Sequence, residues 1–554
     1  MRITGAQILI EELIRHGVDT IFGYPGGTIV DIYDQLLQHQ DRIKHVLTAH
    51  EQGAVHAADG YARACGKAGV VLATSGPGAT NLVTGIAAAY MDSSPLIAIT
   101  GNVATSMLGK DSFQEVDIIG VTQQIVKHSF IVKRIEDLAG IVHEAFRIAT
   151  SDRNGPVLID FPQDIQQALY EYQPSEERDP QPEPEHPSES DYQAAVTAIR
   201  NSRCPYIYCG GGVVRALAGT EVLQLAEKLQ APIGLSMMGL SGVPSTYPLY
   251  LGMTGMHGLY AANLLQSEAD LIIAVGARFS DRATGNVREF VKNRTIVHID
   301  IDPAEINKNI HSRIALCGDI KEILRHLTSR LEEKYNPQWL ARIRECRRQQ
   351  QSWQAKPQAF DPQNIISLVR RYCDGDAIVA TDVGQHQMWV MQYYPFSRPR
   401  TLITSGGLGA MGFGLGAAIG ASLAHHRRRT VLFTGDGSFG MNLIELATAV
   451  CQKIPLLVVI MDNGMLGLVH QLQGRFYARR FSQSFLNRPT DFAGVARAYG
   501  AEGYTVSSLP EFDEALHQAF LRNTPVVIDC KISQDREALP MIPPGSSIKD
   551  IILK

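Results

Sequence analysis

The apolar run Thr430–Gly435 stops at Gly435-Asp436-Gly437, and the next one, Ile454–Met461, stops at Asp462-Asn463. The stretch "LIELATAVCQK" between them suits one helical crossover, so adjacent parallel strands would bring Asp436 and Asn463 to the same edge of a sheet. A carboxylate and an amide oxygen are two hard ligands, too few to cage a metal alone. They are what Mg²⁺ requires when phosphate oxygens and waters complete its octahedron. The helix after Gly437 would aim its first amides at the same place. By itself Gly435-Asp436-Gly437 reads as a strand-ending turn. Its pairing with Asp462-Asn463 is what favours a cation and a phosphate.

Runs of the same character recur along the chain. "GVVLATSGPG", "PLIAITG" and "GPVLIDFPQD" come first, then "PYIYCGGG", "ADLIIAVGARFSD" and "TIVHIDIDP", then "AIVATDVG", "RTVLFTGDGS", "PLLVVIMDN" and "PVVIDCKIS". Apolar runs without alternation, separated by helical stretches, indicate parallel strands covered on both faces. Ligands of such sheets bind beyond the carboxyl ends of the strands, where the Gly and Asp residues fall. At 554 residues the chain exceeds what one core can serve. The Pro- and Glu-rich stretch Tyr170–Asp191 reads as an extended surface linker, and the polar stretch Arg344–Gln363 as a second boundary, although its charged half could be a solvated helix end. The expected fold is α/β, with three doubly wound parallel-sheet domains over 1–170, 190–340 and 360–535 and a C-terminal tail over 536–554.

A net charge of −5 leaves no electrostatic footprint for nucleic acid. The eight cysteines form no C-x-x-C pair and read as reduced thiols of a cytoplasmic protein. The N-terminus enters an amphipathic helix directly, with no signal peptide, and Ile454–Met461 is far too short to cross a bilayer.

"GDGSFGMN" through "MDN" resembles the diphosphate-binding motif of thiamine-diphosphate enzymes. In that family the backbone carbonyl two residues on, here Met465, is a third protein ligand of the metal, and Asp462 stands where Asn is usual. The chemistry demands a carboxylate that protonates the aminopyrimidine ring. Glu51 of "HEQGA", which taken alone is a helix-start residue favoured by the dipole, resembles that acid. Met411 of "GGLGAMGFG" matches the hydrophobic prop that holds the two cofactor rings in a V.

The resemblance narrows to the acetohydroxyacid (acetolactate) synthases. "FGYPGG", "ATSGPGATNLVTG", "FQEVD", "KHSF", "GARFSDR", "HIDIDPAEI", "DVGQHQMW", "GLGAMGFG" and "PMIPPG" are similar to that family's blocks in order. It implies a pyrimidine-binding first domain, a central FAD-binding domain and a diphosphate-binding third domain. Thiamine contacts are expected at Gly26, Gly27, Gly76, Pro77, Val383, Gln385, His386, Gly409, Gly435, Gly437 and Ser438. FAD, as a structural cofactor, is expected at Gly211, Gly212, Met253 and Arg278, and less securely at Asp300 and Asp319. Phe113 and Gln114 match active-site residues near the thiazolium, and Arg282 matches the cation that holds the acceptor carboxylate, a task suited to a guanidinium. Arg282 also admits a reading as a surface or flavin-facing salt-bridge partner. Three positions of the family's substrate channel depart from its pattern: Leu472 replaces a Trp, Gln163 a Lys and Thr28 an Ala.

The expected activity joins a pyruvate-derived two-carbon unit to a second 2-keto acid with loss of CO₂, using thiamine diphosphate, Mg²⁺ and FAD. The expected assembly is a homodimer or homotetramer with the active site between subunits, and a small regulatory subunit is left open. A decarboxylase or carboligase of other 2-keto acids is the alternative within the family. A nicotinamide dehydrogenase would need Gly407-Leu-Gly409-Ala-Met-Gly412 to be a dinucleotide fingerprint, but the strand that follows ends in Asp436, already placed at the metal. A non-catalytic descendant of the fold would have no need to keep Glu51, Asp436 and Asn463 together.

Overall fold

The computed structural model describes residues 2–174, 186–353, 360–373, 375 and 377–553. The structure contains three six-stranded sheets, each parallel throughout. Across the first, the strands run Lys44–Leu47, Thr20–Tyr24, Gly69–Ala73, Leu96–Asn102, Pro156–Pro162 and His128–Ile131. The third repeats that winding, with Leu402–Ile403, Ile378–Thr381, Thr430–Gly435, Leu456–Asp462, Val526–Lys531 and Glu502–Val506. The central sheet is wound differently. Its order is Tyr250–Met253, Ile233–Leu235, Pro205–Cys209, Leu271–Val275, Thr295–Asp300 and Ile314–Cys317, which in chain order is 3-2-1-4-5-6, the order of dinucleotide-binding folds.

Every apolar run singled out in the sequence is a strand, because each is buried on both faces. Gly69–Ala73, Leu96–Asn102, Leu271–Val275 and Thr430–Gly435 have no exposed residue. Shorter and partly exposed strands such as Lys44–Leu47 and Glu502–Val506 lie at sheet edges and carry a weaker pattern. The N-terminus departs from expectation. Arg2–Thr4 is a strand before the helix Gly5–Arg15, and it pairs antiparallel with Leu169–Glu171 at the start of the expected linker. The far end of that linker is also structured, since Glu189 opens a helix capped by Ser188. Residues 175–185 lie outside the described residues. The charged half of Arg344–Gln363 continues the helix Pro337–Trp353, and Pro362 opens another helix, Pro362–Tyr372. The tail crosses the central domain, with Ile542 N donating to Met256 O (2.7 Å). Among the described residues no helix is long and apolar enough to cross a membrane.

The first and third domains meet where the helix Glu51–Cys65 lies on the helix Phe413–Ala424. Glycines allow the approach: a Cβ at Gly60 would overlap Ala417 O, and one at Gly420 would overlap Ala57 O. A side chain there must push two helix backbones apart. Gly420→Ala is therefore expected to destabilise the protein by about 1–3 kcal/mol, as overpacking does, whereas Gly140→Ala, with nothing within 4 Å of its Cβ, is expected to be neutral or stabilising. Chemical denaturation of both variants measures the contrast.

Candidate active site

Strands Thr430–Gly435 and Leu456–Asp462 are hydrogen-bonded neighbours with Gly435 opposite Met461, which brings Asp436 and Asn463 to one edge of the third sheet. Asp436 opens a helix, and Asn463 Oδ1 accepts from Met465 N (3.2 Å). Burial, then the facing Asp462 carboxylate, pushes the Asp436 carboxyl upward. Lys531 pairs with Asp462 and not with Asp436, so Asp436 itself has no ion-pair partner among the described residues. Among the described residues no three His, Cys, Asp or Glu groups form a metal site unaided. Such a donor set fits a hard cation completed by ligand oxygens. The anion side is also prepared. His386 is buried, which pulls it down to about 3, and its Nε2 has no hydrogen-bond partner among the described residues. A Cβ at Gly435 would lie 3.0 Å from His386 Nδ1, and one at Gly437 would lie 2.9 Å from Leu466 and 3.8 Å from Met411 Cε. Ser438 Oγ donates to Val383 O (2.8 Å), and Gln385 Oε1 accepts from Asn463 Nδ2 (3.2 Å). Gly409, at φ +71°, leads into Met411.

At the corresponding edge of the first sheet, Glu51 is the first residue of its helix and is buried. Asn81 Nδ2 donates to Glu51 Oε2 (2.9 Å), while a Cβ at Gly78 would lie 3.2 Å from Oε1. Gly26 packs on Thr74 with no room for a side chain, and Gly27 opens the turn Gly27–Ile29. Thr28 ties these segments together, its Oγ1 accepting from Ser75 N (3.1 Å). Gly76, at φ +59°, would strike Gln114 O with a Cβ (2.7 Å), and Pro77 opens the next helix. Gln114 is itself left-handed (φ +58°), while its neighbour Phe113 is 88% exposed.

The central sheet reverses its winding between Pro205–Cys209 and Leu271–Val275, and a cavity of about 380 Å³ opens there. Gly211, Met253 and Arg278 line it. Gly212 lies behind, where a Cβ would meet Gly276 Cα at 2.6 Å. Asp300 and Asp319 do not line it. Asp300 is buried beside His298 and accepts from Asp302 N (3.1 Å), and Asp319 caps the helix Ile320–Ser329. Arg215, missed in the sequence, lines the cavity half-buried, and desolvation pulls its guanidinium down to about 10. Its place four residues beyond Gly211 was the available signal. The same cavity reaches Arg282 and Leu472, joined by Leu468, Met256 and Met541 of the tail. Arg282 is largely exposed, 3.7 Å from Asp281. Thr28 and Gln163 stand elsewhere: Gln163 opens a short helix whose Gln166 donates to Thr28 O (2.8 Å). The three departures thus fall into two groups, one at the cavity and one at the first sheet.

Three stretches match families described as thiamine pyrophosphate enzyme domains: the N-terminal TPP binding domain over 3–121, the central domain over 192–327 and the C-terminal TPP binding domain over 382–530. The chain is 42% identical over 573 aligned residues to the acetolactate synthase isozyme 3 large subunit of Escherichia coli (strain K12), with 100% of this chain and 98% of the relative covered. It is 43% identical to the probable acetolactate synthase large subunit of Methanocaldococcus jannaschii, covering 99% and 95%. It is 44% identical to the acetolactate synthase large subunit of Parasynechococcus marenigrum, covering 98% and 90%. Likeness over the full length, carried by three matched domains, settles the kinship: the chain belongs to the acetolactate synthase family of thiamine pyrophosphate enzymes.

Proposed function

We propose that this chain is the catalytic subunit of an acetolactate synthase that uses thiamine diphosphate, Mg²⁺ and FAD, acts in the cytoplasm and converts two molecules of pyruvate into acetolactate and CO₂, with 2-ketobutyrate as an alternative acceptor. The observation that carries the reading is the edge of the third sheet, where Asp436, Asn463 and the unpartnered His386 Nε2 surround backbone kept bare by Gly435 and Gly437. Asp436, Asn463 and the Met465 carbonyl would hold Mg²⁺ against the diphosphate. The bound cofactor supplies the electron sink that lets a 2-keto acid lose CO₂. Asn81 occupies Glu51 Oε2, which leaves Oε1 to carry the proton given to the aminopyrimidine. Met411 would support the cofactor rings, and it stands with Leu466 beside Gly437. Arg282 holds the acceptor carboxylate, and Leu472 bounds the space for its alkyl group.

Within the chain, no hydrogen bond or ion pair among the described residues joins Glu51 to the Asp436 edge. Apolar side chains meanwhile stand exposed on both domains, Phe113, Val30 and Leu47 on the first, Met441 and Tyr477 on the third. Both features support a homodimer, or a homotetramer built from two such dimers, in which Glu51 of one subunit serves the metal edge of another. The relatives are named large subunits, which supports a small regulatory partner as well.

Removing only the proton relay with Glu51→Gln is expected to leave thiamine diphosphate and FAD bound and to slow turnover about 10²–10⁴-fold. An unchanged rate at saturating cofactor removes Glu51 from this role. Asp436→Ala should abolish Mg²⁺-dependent binding of thiamine diphosphate in equilibrium dialysis while FAD uptake persists. Parallel loss of both cofactors would assign Asp436 to the structure instead. Leu472 leaves a wider pocket than an indole would, and a methylene in an apolar site is worth about 1–3 kcal/mol. Wild type should therefore show little preference for 2-ketobutyrate over pyruvate, and Leu472→Trp should raise that preference about tenfold; product ratios in competition assays measure both.

A further inference from the structure

Asp92 ends the helix Val83–Met91, and its side chain is fully buried. Both of its carboxylate oxygens reach into the third domain. Oδ1 accepts from Gly407 N (2.7 Å) and Oδ2 from Gly406 N (3.2 Å), with Oδ2 also receiving Arg63 Nη1 (3.0 Å). Arg63 lies on the Glu51 helix, is gripped by Asp59 through two hydrogen bonds of 2.7 Å, and gives Nη1 to Thr404 O as well (2.7 Å). The segment Thr404–Gly407 is thus held from the first domain. A second carboxylate holds the far end: Asp382 accepts from Gly412 N (2.9 Å) and Gly414 N (3.1 Å). Met411 hangs between these two anchors. The fit at the first is close, since a Cβ on Gly407 would lie 2.7 Å from Asp92 Oδ1 and 2.8 Å from Met91 O.

Asp92 also faces the central domain. Its peptide oxygen accepts from Arg215 Nη1 (2.9 Å), and Met91, Asp92, Ser93 and Arg215 all line the 380 Å³ cavity, as do Gly406 and Gly409. Ser93, left-handed at φ +55°, receives Arg153 Nε (2.8 Å), and Arg153 pairs with Asp302 and Glu305 of the central domain. One residue therefore forms cavity wall with its main chain and anchors the Met411 segment with its side chain. Neither can shift without the other.

We propose that Asp92 is a positioning residue that couples occupancy of the central cavity by a flavin dinucleotide to the conformation of the Gly406–Met411 segment, and so to the binding of thiamine diphosphate. This rests on the cofactor assignment above. A ligand that fixes the cavity wall fixes the segment, and the coupling must act equally in both directions. The test is equilibrium dialysis on the full-length protein freed of cofactors: thiamine diphosphate with Mg²⁺, in the presence and absence of saturating FAD, and the reciprocal titration. In wild type each cofactor is expected to tighten the other by the same factor, about tenfold. Asp92→Asn places an amide nitrogen where Gly406 N and Arg63 need an acceptor, and the factor should fall to about one, with a lower kcat and an unchanged KM for pyruvate. Gly407→Ala crowds the same contact from the other side, leaves Asp92 intact and should give the same loss; it decides the matter if Asp92→Asn does not fold. A merely structural role would lower both affinities and thermal stability while preserving the factor. A preserved factor in a folded variant, or independent binding in wild type, overturns the proposal and leaves the cofactor assignment standing. Failure of wild type to take up FAD overturns the flavin assignment itself, and this proposal with it.

Discussion

The helix Glu51–Cys65 and the helix Phe413–Ala424 meet backbone to backbone, because Gly60 and Gly420 keep side chains out of the crossing. That contact sets the relation between the first and third domains of one chain. Nearby, Glu445 of the third domain accepts from Ala49 N (3.2 Å) and His50 N (3.0 Å), fixing the backbone immediately before Glu51. Burial pushes the Glu445 carboxyl upward, and Thr448 Oγ1 adds a third donor (2.6 Å). The placement of Glu51 is thus determined across a domain boundary. A buried acceptor with three donors is costly to disturb, since each donor left unpaired loses its solvation without compensation.

All three domains follow one topological rule and apply it with two strand orders. In the first and third sheets the winding reverses between the first and third strands in chain order, and the bare-backbone turns Gly26-Gly27, Gly76-Pro77 and Gly435-Asp436-Gly437 lie just beyond those strands. In the central sheet the reversal comes between the first and fourth strands, and Gly210-Gly211 and Gly276 stand there. Parallel strands present unpaired backbone at their carboxyl ends, and a crossover leaving in each direction opens a crevice between two of them. Glycines mark these crevices because a side chain would fill the space a ligand needs.

The positions that depart from the family pattern do not act as a set within one chain. Leu472 borders the cavity shared with Arg282, where the shape of an apolar side chain bounds the open space. Thr28 is bound into the turn around Thr74 and Ser75, where its hydroxyl closes the packing of two loops. Glu51, Asp436 and Asn463 lie on elements that none of the three interrupts.

Much of the site was legible in the sequence because its residues sit next to long buried strands. Strand Leu456–Asp462 announces itself by an unbroken apolar run, so Asn463 is located as soon as the strand is. The same holds for Asp436 beyond Thr430–Gly435. The two-stranded ribbon of Arg2–Thr4 and Leu169–Glu171 was not legible, because three-residue strands pairing the two ends of a domain leave no periodicity. Asp92 and Glu445 were invisible for a different reason. Their partners across the domain boundary are backbone amides in a distant part of the chain, and an amide has no letter in a sequence. By itself the sequence determined the α/β class, the parallel strands, and the kinds of ligand groups at their ends, since these follow from local hydrophobic runs and residue chemistry. Only the tertiary structure decided the contacts between domains, from the Asp92 anchor and the place of Arg215 on the cavity wall to the grouping of Arg282 with Leu472, because those depend on which surfaces meet when three domains pack together.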